Sequence, residues 1–320
     1  MQTPLSELKF RLDLDWKKKA TMPFGISIYP QVAVLREKIY IGGGNTLSNK
    51  ERHMVLVYDP QKDTYDTLPP YTHKCFAMAA ISDNLVLIGG EQDDKLKPRF
   101  TNQLGVWDSR SLKWTHPLPP MSIPCKSPSV TAYKNKWLFV IGGYNNPDGE
   151  LSRVEILDTS SQQWFNSAPM LAPCHQVSLA TIGNMCYLMG GLINITFSKR
   201  VYAARIDHLI SQNSAALSIQ SPWSMLPDTP GTQATALALN GALLAVGGIG
   251  ADIYMYQPSK KCWGNIGRLR IERAACACVV LPNCGGVLVA GGGETKVVGG
   301  TGTIDHSHNT DQKLDIGTPK

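Results

Sequence analysis

Cysteine and histidine are the residue types in this sequence that could carry metal or nucleophilic chemistry. The 320-residue chain has eight cysteines and seven histidines. No two cysteines have the C-x-x-C spacing of a zinc ribbon. His306 and His308, near Asp305 and Asp311, could supply imidazole and carboxylate ligands. They lie in a polar C-terminal segment, which favours a solvated tail, so we predict no metal site and no cofactor.

The elements that would position any site are given by a repeated strand pattern. A short apolar run that ends in Gly-Gly occurs six times, at intervals of 44 to 57 residues. Turn residues such as Asn240-Gly241 precede the runs, so each repeat is predicted to open with a two-strand hairpin. The glycine pairs are Gly42 and Gly43, Gly89 and Gly90, Gly142 and Gly143, Gly190 and Gly191, Gly247 and Gly248, and Gly291 and Gly292.

Each repeat continues with a third strand, which often ends in Asp, and a fourth strand that begins with an aromatic residue. The aromatic residues are Tyr65, Trp114, Trp164, Trp223 and Trp263. One four-stranded sheet cannot bury both of its faces, whereas sheets arranged radially bury each other's faces. Paired glycines permit close backbone packing where a strand ends. We therefore predict a structural role for these glycines and aromatic residues.

Residues around Trp16, near the start of the chain, match the strand that the sixth repeat lacks. No aromatic residue follows Gly292, but Trp16, followed by Met22 and Pro23, matches a fourth strand and its exit. A ring closed by this N-terminal strand would leave no open sheet edge. The third strand of that sheet could come from residues 9–12 or 296–298. We predict an N-terminal segment over 1–11, a propeller over 12–298 and a disordered tail over 299–320.

The repeat resembles the kelch family, in particular the kelch domain of kelch-like (BTB-kelch) proteins. The segments from Ile141 to Asp158 and from Trp164 to Met170 are close to the family's repeat consensus, and the resemblance covers roughly residues 12 to 293. It implies an all-β, six-bladed propeller with four-stranded antiparallel blades. It also implies protein binding, either as a substrate receptor of a cullin-based ubiquitin ligase or as an actin-associated scaffold.

Enzymatic relatives of this family use chemistry that the sequence does not match. The E-x-x-x-D-x-x-x-H iron motif of plant specifier proteins does not occur in it, and no convergent acid–base set is visible. We therefore predict that the protein is not an enzyme. A small-molecule enzyme or a sugar-binding propeller that uses the central channel remains the alternative, because a fold alone does not decide function.

Composition and charge indicate which classes of partner and which cellular compartment to expect. Charged residues make up 18% of the chain and the net charge is +6, without a dense Lys/Arg block, so nucleic acid is not an expected partner. No apolar run reaches the length of a membrane span, and the N-terminus has no apolar signal core. These features predict a cytoplasmic protein with free thiols and no membrane partner.

The predicted binding face consists of loops gathered around the channel. Its charges are mostly basic, which suits an acidic or phosphorylated peptide, and Tyr144 could serve as an aromatic anchor. The candidate partner-binding residues are Lys50, Arg52, Lys95, Arg99, Tyr144, Asn145, Asn146, Arg200 and Arg273.

Three cysteines recur in the segments that join the repeats. Cys75, Cys125 and Cys174 each lie five residues after a proline. We expect them at the start of the innermost strand, near the mouth of the channel, as small wall residues. A reactive or metal-binding thiol cluster is the alternative.

Overall fold

The strands form four-stranded antiparallel sheets, which follow one another along the chain. The computed structural model describes residues 14–23, 28–44, 51–92, 99–194, 196–211, 221–281, 286–298, 301–305 and 314–319. Five sheets, here called blades 1 to 5, are each built from one continuous stretch of chain. The predicted all-β propeller with four-stranded antiparallel blades is confirmed. Neighbouring blades contact each other through their first strands, which are therefore the innermost ones.

The strands of each blade are given in chain order, from the innermost to the outermost. Blade 1 consists of Gln31–Leu35, Lys38–Gly42, Val55–Asp59 and Thr64–Leu68. Blade 2 consists of Ala77–Ile81, Asn84–Ile88, Leu104–Asp108 and Lys113–Thr115. Blade 3 consists of Ser129–Tyr133, Trp137–Ile141, Val154–Asp158 and Gln163–Ser167. Blade 4 consists of Ser178–Ile182, Met185–Met189, Val201–Arg205 and Trp223–Leu226. Blade 5 consists of Thr235–Leu239, Ala242–Val246, Asp252–Gln257 and Cys262–Arg268.

A further four-stranded sheet, here called the composite sheet, takes strands from both ends of the chain. From inside to outside it consists of Ala277–Val280, Val287–Ala290, Leu314–Pro319 and Leu14–Lys18. The prediction of six blades is thus corrected to five blades, each from one continuous stretch of chain, and one composite sheet. The predicted N-terminal strand is its outermost member.

The third strand of the composite sheet has a source that the sequence did not indicate. Leu314–Pro319 pairs with Val287–Ala290 on one side and with Leu14–Lys18 on the other. It lies within the segment 299–320, for which we predicted disorder, so the structure differs there. Of the two sources considered, residues 296–298 belong instead to a hairpin, Glu294–Val298 with Thr301–Asp305, and residues 9–12 lie outside the described part.

Short elements decorate the blades. Three of the loops that follow a second strand contain a small hairpin whose strands are two residues long. The pairs are Glu91–Gln92 with Arg99–Phe100, Tyr144–Asn145 with Gly149–Glu150, and Leu192–Ile193 with Thr196–Phe197. A 3-10 turn spans Glu51–His53, and an α-helix spans Ile206–Ser211 after the third strand of blade 4.

The glycine pairs allow the loops of neighbouring blades to approach closely. In blade 2, Gly89 and Gly90 have φ values of 65° and 120°. A Cβ at Gly89 would lie 2.5 Å from the Cys125 carbonyl oxygen of the next loop, and one at Gly90 would lie 2.8 Å from that of Lys74. Any larger residue would collide with backbone at both positions. The pairs therefore hold each blade against the loops on both sides.

The glycine pair of the first repeat is shifted by one residue from our prediction. Gly42 pairs with Gln31 as Ile88 pairs with Ala77, so Gly42 is the last residue of a strand. The positive φ values belong to Gly43 and Gly44. The other five pairs all have positive φ at the predicted residues.

Tryptophan side chains link blades 2 to 5 and the composite sheet to the sheet before each of them. The indole Nε1 atoms donate hydrogen bonds of 2.8–3.3 Å to carbonyl oxygens at the end of the preceding sheet. The bonds run from Trp114 to Pro69, Trp164 to Pro119, Trp223 to Ala168, Trp263 to Pro227, and Trp16 to Arg268. This accounts for the aromatic residue of the repeat in both packing and hydrogen bonding.

Blade 1 uses a different link because its aromatic residue is a tyrosine. The carboxylate oxygen Oδ1 of Asp63 accepts a hydrogen bond of 2.7 Å from the Tyr58 hydroxyl and one of 3.0 Å from the Ala20 amide. The segment after the N-terminal strand is thereby attached to blade 1. Tyr65 packs beside Tyr58, with ring centroids 4.9 Å apart.

Candidate partner-binding face and central channel

The antiparallel order of strands gives the propeller two different faces. One side of the propeller, here called the rim face, is where the first strand of each sheet begins and the second strand ends. It carries the loops between second and third strands and the loops that join one sheet to the next. The opposite side, here called the turn face, carries the tight turns within hairpins. Because rim loops are longer and more varied, they are the part of the scaffold that could recognise a partner.

Six residues with positive φ, here called the channel ring, surround the mouth of the channel on the rim face. They come one from each sheet and have φ values between 49° and 63°. Four amides of the ring donate to the carbonyl oxygen of the preceding member at 2.8–3.2 Å. Their backbone pairing fixes the distance between the inner strands. The members are Tyr29, Cys75, Ser127, Gln176, Gln233 and Ala275.

The channel contains a cavity of about 970 Å³, including its open mouth. Its wall consists of residues from the inner strands of all six sheets and the channel ring. Three glutamines, Gln31, Gln176 and Gln233, contribute amides, while Ser129 and Thr235 contribute hydroxyls. Among the described residues, no Asp, Glu, His, Lys or Arg lines this cavity. The wall is therefore polar but uncharged.

Hydroxyls of the wall also connect neighbouring blades. Ser129 Oγ donates to the Val177 carbonyl oxygen at 2.5 Å, and Ser178 Oγ accepts from the Ala236 amide at 2.8 Å. Such bonds satisfy polar groups that would otherwise be costly to bury. Much of the polarity of the channel thus belongs to the scaffold.

A group of interlocked polar and aromatic side chains, here called the rim cluster, spans blades 2 to 4. Lys126 Nζ lies 2.7 Å from Glu91 Oε2, and 5.5 Å and 5.6 Å from the ring centroids of Phe100 and Tyr144. The Tyr144 ring lies 5.5 Å from that of His175. Ion pairing and cation–π attraction order these side chains in advance, which lowers the entropic cost of binding a partner.

The pKa of the His175 imidazole lies below its usual value. Burial is the main cause that lowers its pKa, and the nearby Glu150 carboxylate opposes the shift. The Nδ1 atom lies 3.5 Å from Glu150 Oε1, so this contact becomes an ion pair only when the ring is protonated.

The structure places most of the described binding candidates on the rim face. Arg99, Asn146 and Arg200 are exposed, and Tyr144 is half-buried in the rim cluster. Arg52 is half-buried in the 3-10 turn of blade 1. The remaining candidates Lys50 and Lys95 lie outside the described residues.

Two candidate residues are buried and bonded to the protein itself. Arg273 is only 1% exposed, and its Nη1 donates to the Gly291 carbonyl oxygen at 2.8 Å. The prediction that Arg273 lies on an accessible surface is therefore wrong. Asn145 is buried as well: its Oδ1 accepts from the Asp148 amide, and its Nδ2 donates to the Asp148 carboxylate. These bonds hold the hairpin together.

The predicted location of the cysteines is correct for one residue of the three. Cys75 lines the channel, whereas Cys125 and Cys174 are buried in the cores between blades. The error arises because Cys75 is equivalent to Ser127 and Gln176 in the channel ring. The number of residues after the proline differs between repeats, so equal spacing from the proline was misleading.

A different pair of cysteines, Cys276 and Cys278, borders the channel cavity and packs into the core between blade 5 and the composite sheet. The pKa of the Cys276 thiol is lowered, mainly by its hydrogen bond with Cys278, with the charge of Arg273 contributing. Burial raises the pKa of Cys278. Among the described residues, no group of three or more His, Cys, Asp and Glu is arranged to hold a metal ion. No described helix has the length and apolarity required to cross a bilayer.

Sequence reasoning missed Lys126, Phe100 and His175 as rim residues. Lys126 and His175 follow Cys125 and Cys174 directly, and both pair with rim hairpins through backbone bridges to Tyr144 and Leu192. Their position after a repeated cysteine was the available signal.

The radial sheets, the uncharged channel and the ordered rim loops define a β-propeller that presents a loop face around a central cavity. A family profile described as "KLHDC2/KLHL20/DRC7 Kelch-repeats domain" matches residues 72–300. The chain belongs to the kelch-repeat family.

Several curated and solved proteins are similar to this chain. Human Kelch-like protein 23 is 22% identical over 243 residues, covering 74% of this chain and 41% of the relative. Beta-scruin of Limulus polyphemus is 23% identical over 195 residues, covering 57% of this chain and 21% of the relative. The chain therefore spans less than half the length of these relatives. The solved structure of YjhT matches with a TM-score of 0.68 and 15% identity, over 90% of this chain and 95% of that one, which supports the fold alone.

Proposed function

We propose that this protein is a non-enzymatic interaction module that binds a protein or peptide partner through its rim face. The observation that carries the proposal is the rim cluster, in which Phe100, Lys126 and Tyr144 are held together by ion-pair and ring contacts. Preordered aromatic and cationic side chains on loops are typical of binding surfaces. Kelch-repeat proteins are generally interaction modules, which agrees with this assignment.

The finer proposal is that the partner is acidic or phosphorylated. The exposed side chains of Arg99, Lys199 and Arg200 support it. The burial of Arg273 and the pairing of Lys74 and Lys126 with Glu91 reduce the available positive charge. The preference thus rests on charges in blades 2 and 4, and it would weaken with added salt.

A charge-reversal pair tests this proposal. The rim variant Arg99→Glu with Arg200→Glu is compared with a turn-face variant, Arg110→Glu with Lys260→Glu, in which two exposed basic residues are also reversed. Quantitative affinity capture should show partners that are retained by wild type and by the turn-face variant and are lost from the rim variant. Equal capture by both variants would contradict a rim-face site.

We also propose that the composite sheet closes the ring between blade 5 and blade 1. Its inner strand, Ala277–Val280, contacts the inner strands Thr235–Leu239 of blade 5 and Gln31–Leu35 of blade 1. The indole of Trp16 and the carboxylate of Asp63 add hydrogen bonds on its two sides. Closure would keep the rim loops at fixed distances from one another.

Resemblance to BTB-kelch proteins supports a cytoplasmic role as a substrate receptor of a cullin-based ubiquitin ligase. One similar relative, of vaccinia virus, is named a kelch repeat and BTB domain-containing protein, at 22% identity over 49% of this chain and 27% of the relative. Co-purification of a cullin with the protein, expressed at its natural level, tests this role. A partner set without any cullin would contradict it.

The alternative function uses the channel. The neutral wall, with the amides of Gln31, Gln176 and Gln233, would suit a small polar ligand such as a sugar. A Gln31→Leu variant separates the two functions, because it removes an amide from the channel wall without changing the exposed rim charges. Loss of binding to an array of sugars in this variant, with partner capture unchanged, would favour the channel.

A further inference from the structure

Three of the seven histidines lie around one buried tyrosine where blades 1 and 2 meet. The ring centroid of Tyr71, a residue only 2% exposed, lies 5.4 Å from that of His73 and 6.4 Å from that of His116. The amide of Tyr71 donates to the His53 carbonyl oxygen at 2.8 Å. His53 belongs to the 3-10 turn of blade 1, and His116 follows the outermost strand of blade 2. These four residues, here called the histidine junction, therefore connect two blades.

The histidine junction is closely packed. A Cβ at Gly105 would lie 2.5 Å from a ring carbon of Tyr71, so the tyrosine lies directly on the backbone of blade 2. Thr72 Oγ1 lies 2.9 Å from His73 Nδ1, and this hydrogen bond holds the imidazole in position. His53 and His73 are half-buried. A charged imidazole in such a place loses part of its hydration, which disfavours protonation.

The charges around His73 also favour its neutral form. Burial is the main cause that lowers the pKa of His73, and the charges of His116 and His53 lower it further. In the described part of the chain, no carboxylate acts on this pKa in the opposite direction. Burial raises the pKa of Tyr71 to about 12, so its hydroxyl carries no charge. The other ionisable side chains on the surrounding elements are Glu51, Arg52, Lys74, Glu91 and Lys113.

His73 is connected to the rim cluster through the backbone. The next residue, Lys74, exchanges two backbone hydrogen bonds of 2.9 Å and 2.8 Å with Glu91. A Cβ at Gly90 would lie 2.9 Å from His73 Cβ, so the residue before Glu91 packs directly against the histidine. Glu91 supplies the carboxylate that pairs with Lys126 in the rim cluster. A movement of His73 would therefore displace Glu91 and weaken this ion pair.

We propose that the histidine junction is a pH-responsive element, which opens on acidification, loosens the rim cluster and so weakens partner binding. The effect on binding rests on the function proposed above, whereas the opening itself does not. The open junction binds more protons than the closed one, because a solvated histidine has an ordinary pKa of about 6.5. The junction is therefore closed well above this pH. Below it, opening becomes more favourable by up to about tenfold per pH unit for each extra proton bound, until the pKa of the closed form is passed.

The test is amide hydrogen exchange of the wild-type protein at about pH 7.5 and about pH 5.5, corrected for the intrinsic pH dependence of exchange. The amides of Lys74 and Glu91 report on the bridge beside the junction, and their protection should fall by about tenfold on acidification. The control is the equivalent bond in blade 5, from the Ile249 amide to the Thr232 carbonyl oxygen at 3.1 Å, because the sequence of that blade contains no histidine. Its protection should not change. Lys74 and Glu91 amides that stay equally protected at both pH values, or an equal loss at Ile249, would overturn the proposal.

A pair of variants assigns the effect to the junction. His73→Gln keeps a hydrogen-bonding partner for Thr72 but does not titrate, so the protection of Lys74 and Glu91 should become nearly independent of pH. The matched control His208→Gln removes an exposed histidine of blade 4 and should behave as wild type. An undiminished pH response in His73→Gln would contradict the assignment. These measurements need no partner, so their failure would leave the proposed rim-face binding standing. Conversely, affinity capture that is equal at both pH values would contradict the regulation of binding alone.

Discussion

The buried ion pair between Arg153 and Glu155 gives the sharpest prediction about stability. The two side chains are 9% and 2% exposed, and Arg153 Nη1 donates to Glu155 Oε2. Glu155 Oε1 also accepts from the amide and the hydroxyl of Ser122, in the loop from blade 2 to blade 3. Arg153 Nη2 contacts Cys125 Sγ at 3.0 Å. The pair therefore joins two blades through groups that are shielded from water.

Replacing Glu155 by Ala would leave the guanidinium of Arg153 buried without its carboxylate. Removing one partner of a buried pair typically costs about 3 to 5 kcal/mol, a large part of the stability of an ordinary domain. Glu155→Gln should cost less, because its amide oxygen can still accept the hydrogen bonds of Ser122. Equilibrium unfolding in urea, combined with amide exchange of blades 2 and 3, measures the loss.

The exposed pair Arg205 and Asp207 provides the matched control. Its side chains are 54% and 48% exposed and their atoms approach to 2.6 Å, so water can replace the contact. Asp207→Ala should therefore change the free energy of unfolding far less than Glu155→Ala. If the two variants were equally stable, our reasoning about burial would be refuted.

Three further changes should have separable effects. Trp263→Phe removes the indole hydrogen bond to the Pro227 carbonyl oxygen and should lower the free energy of unfolding in urea by about 1 to 3 kcal/mol. The control Tyr65→Phe deletes a buried hydroxyl that has no hydrogen-bond partner in the described structure, so it should be neutral or stabilising. Equal losses in the two variants would contradict the linking role of the indole. Ending the chain at Asp305 removes the strand Leu314–Pro319 from the middle of the composite sheet and should lower the melting temperature by many degrees, so an unchanged melting curve would show that this strand is dispensable. Deleting residues 1–23 removes Trp16 and exposes the edge of Leu314–Pro319, and light scattering should detect aggregation; a monodisperse product with normal melting would count against closure by the N-terminal strand.

The blades were predictable because their main constraints are local. Paired glycines are required where a Cβ would collide with a neighbouring loop, and tryptophans recur because each indole reaches a carbonyl oxygen of the previous sheet. The one error in register has a simple cause. Gly42, Gly43 and Gly44 are consecutive, so the sequence did not indicate which two of them follow the strand.

The features that the sequence did not predict depend on contacts between segments that are distant along the chain. The channel ring contains Tyr29, Cys75 and Gln176 at positive φ, where local sequence rules expect Gly or Asn. Backbone hydrogen bonds between sheets hold these residues in place, and no local signal indicates such bonds. The strand Leu314–Pro319 was missed for a similar reason, because its polar, glycine-containing sequence becomes a strand only between two partner strands. Arg273 was misplaced because it lies two residues before the ring residue Ala275, as Cys125 and Cys174 lie two residues before Ser127 and Gln176, and this position of the repeat is buried.

Site-specific photo-crosslinking tests the central proposal, partner binding on the rim face, most directly. A photoreactive amino acid is placed at Asn146, which is exposed beside the rim cluster, and, as the control, at Lys134, which is exposed on the turn face. Both variants are expressed in cells and irradiated, and the products are identified by mass spectrometry. We predict a defined protein adduct from position 146 and none from position 134. The same adduct from both positions, or one from position 134 alone, would contradict binding at the rim face.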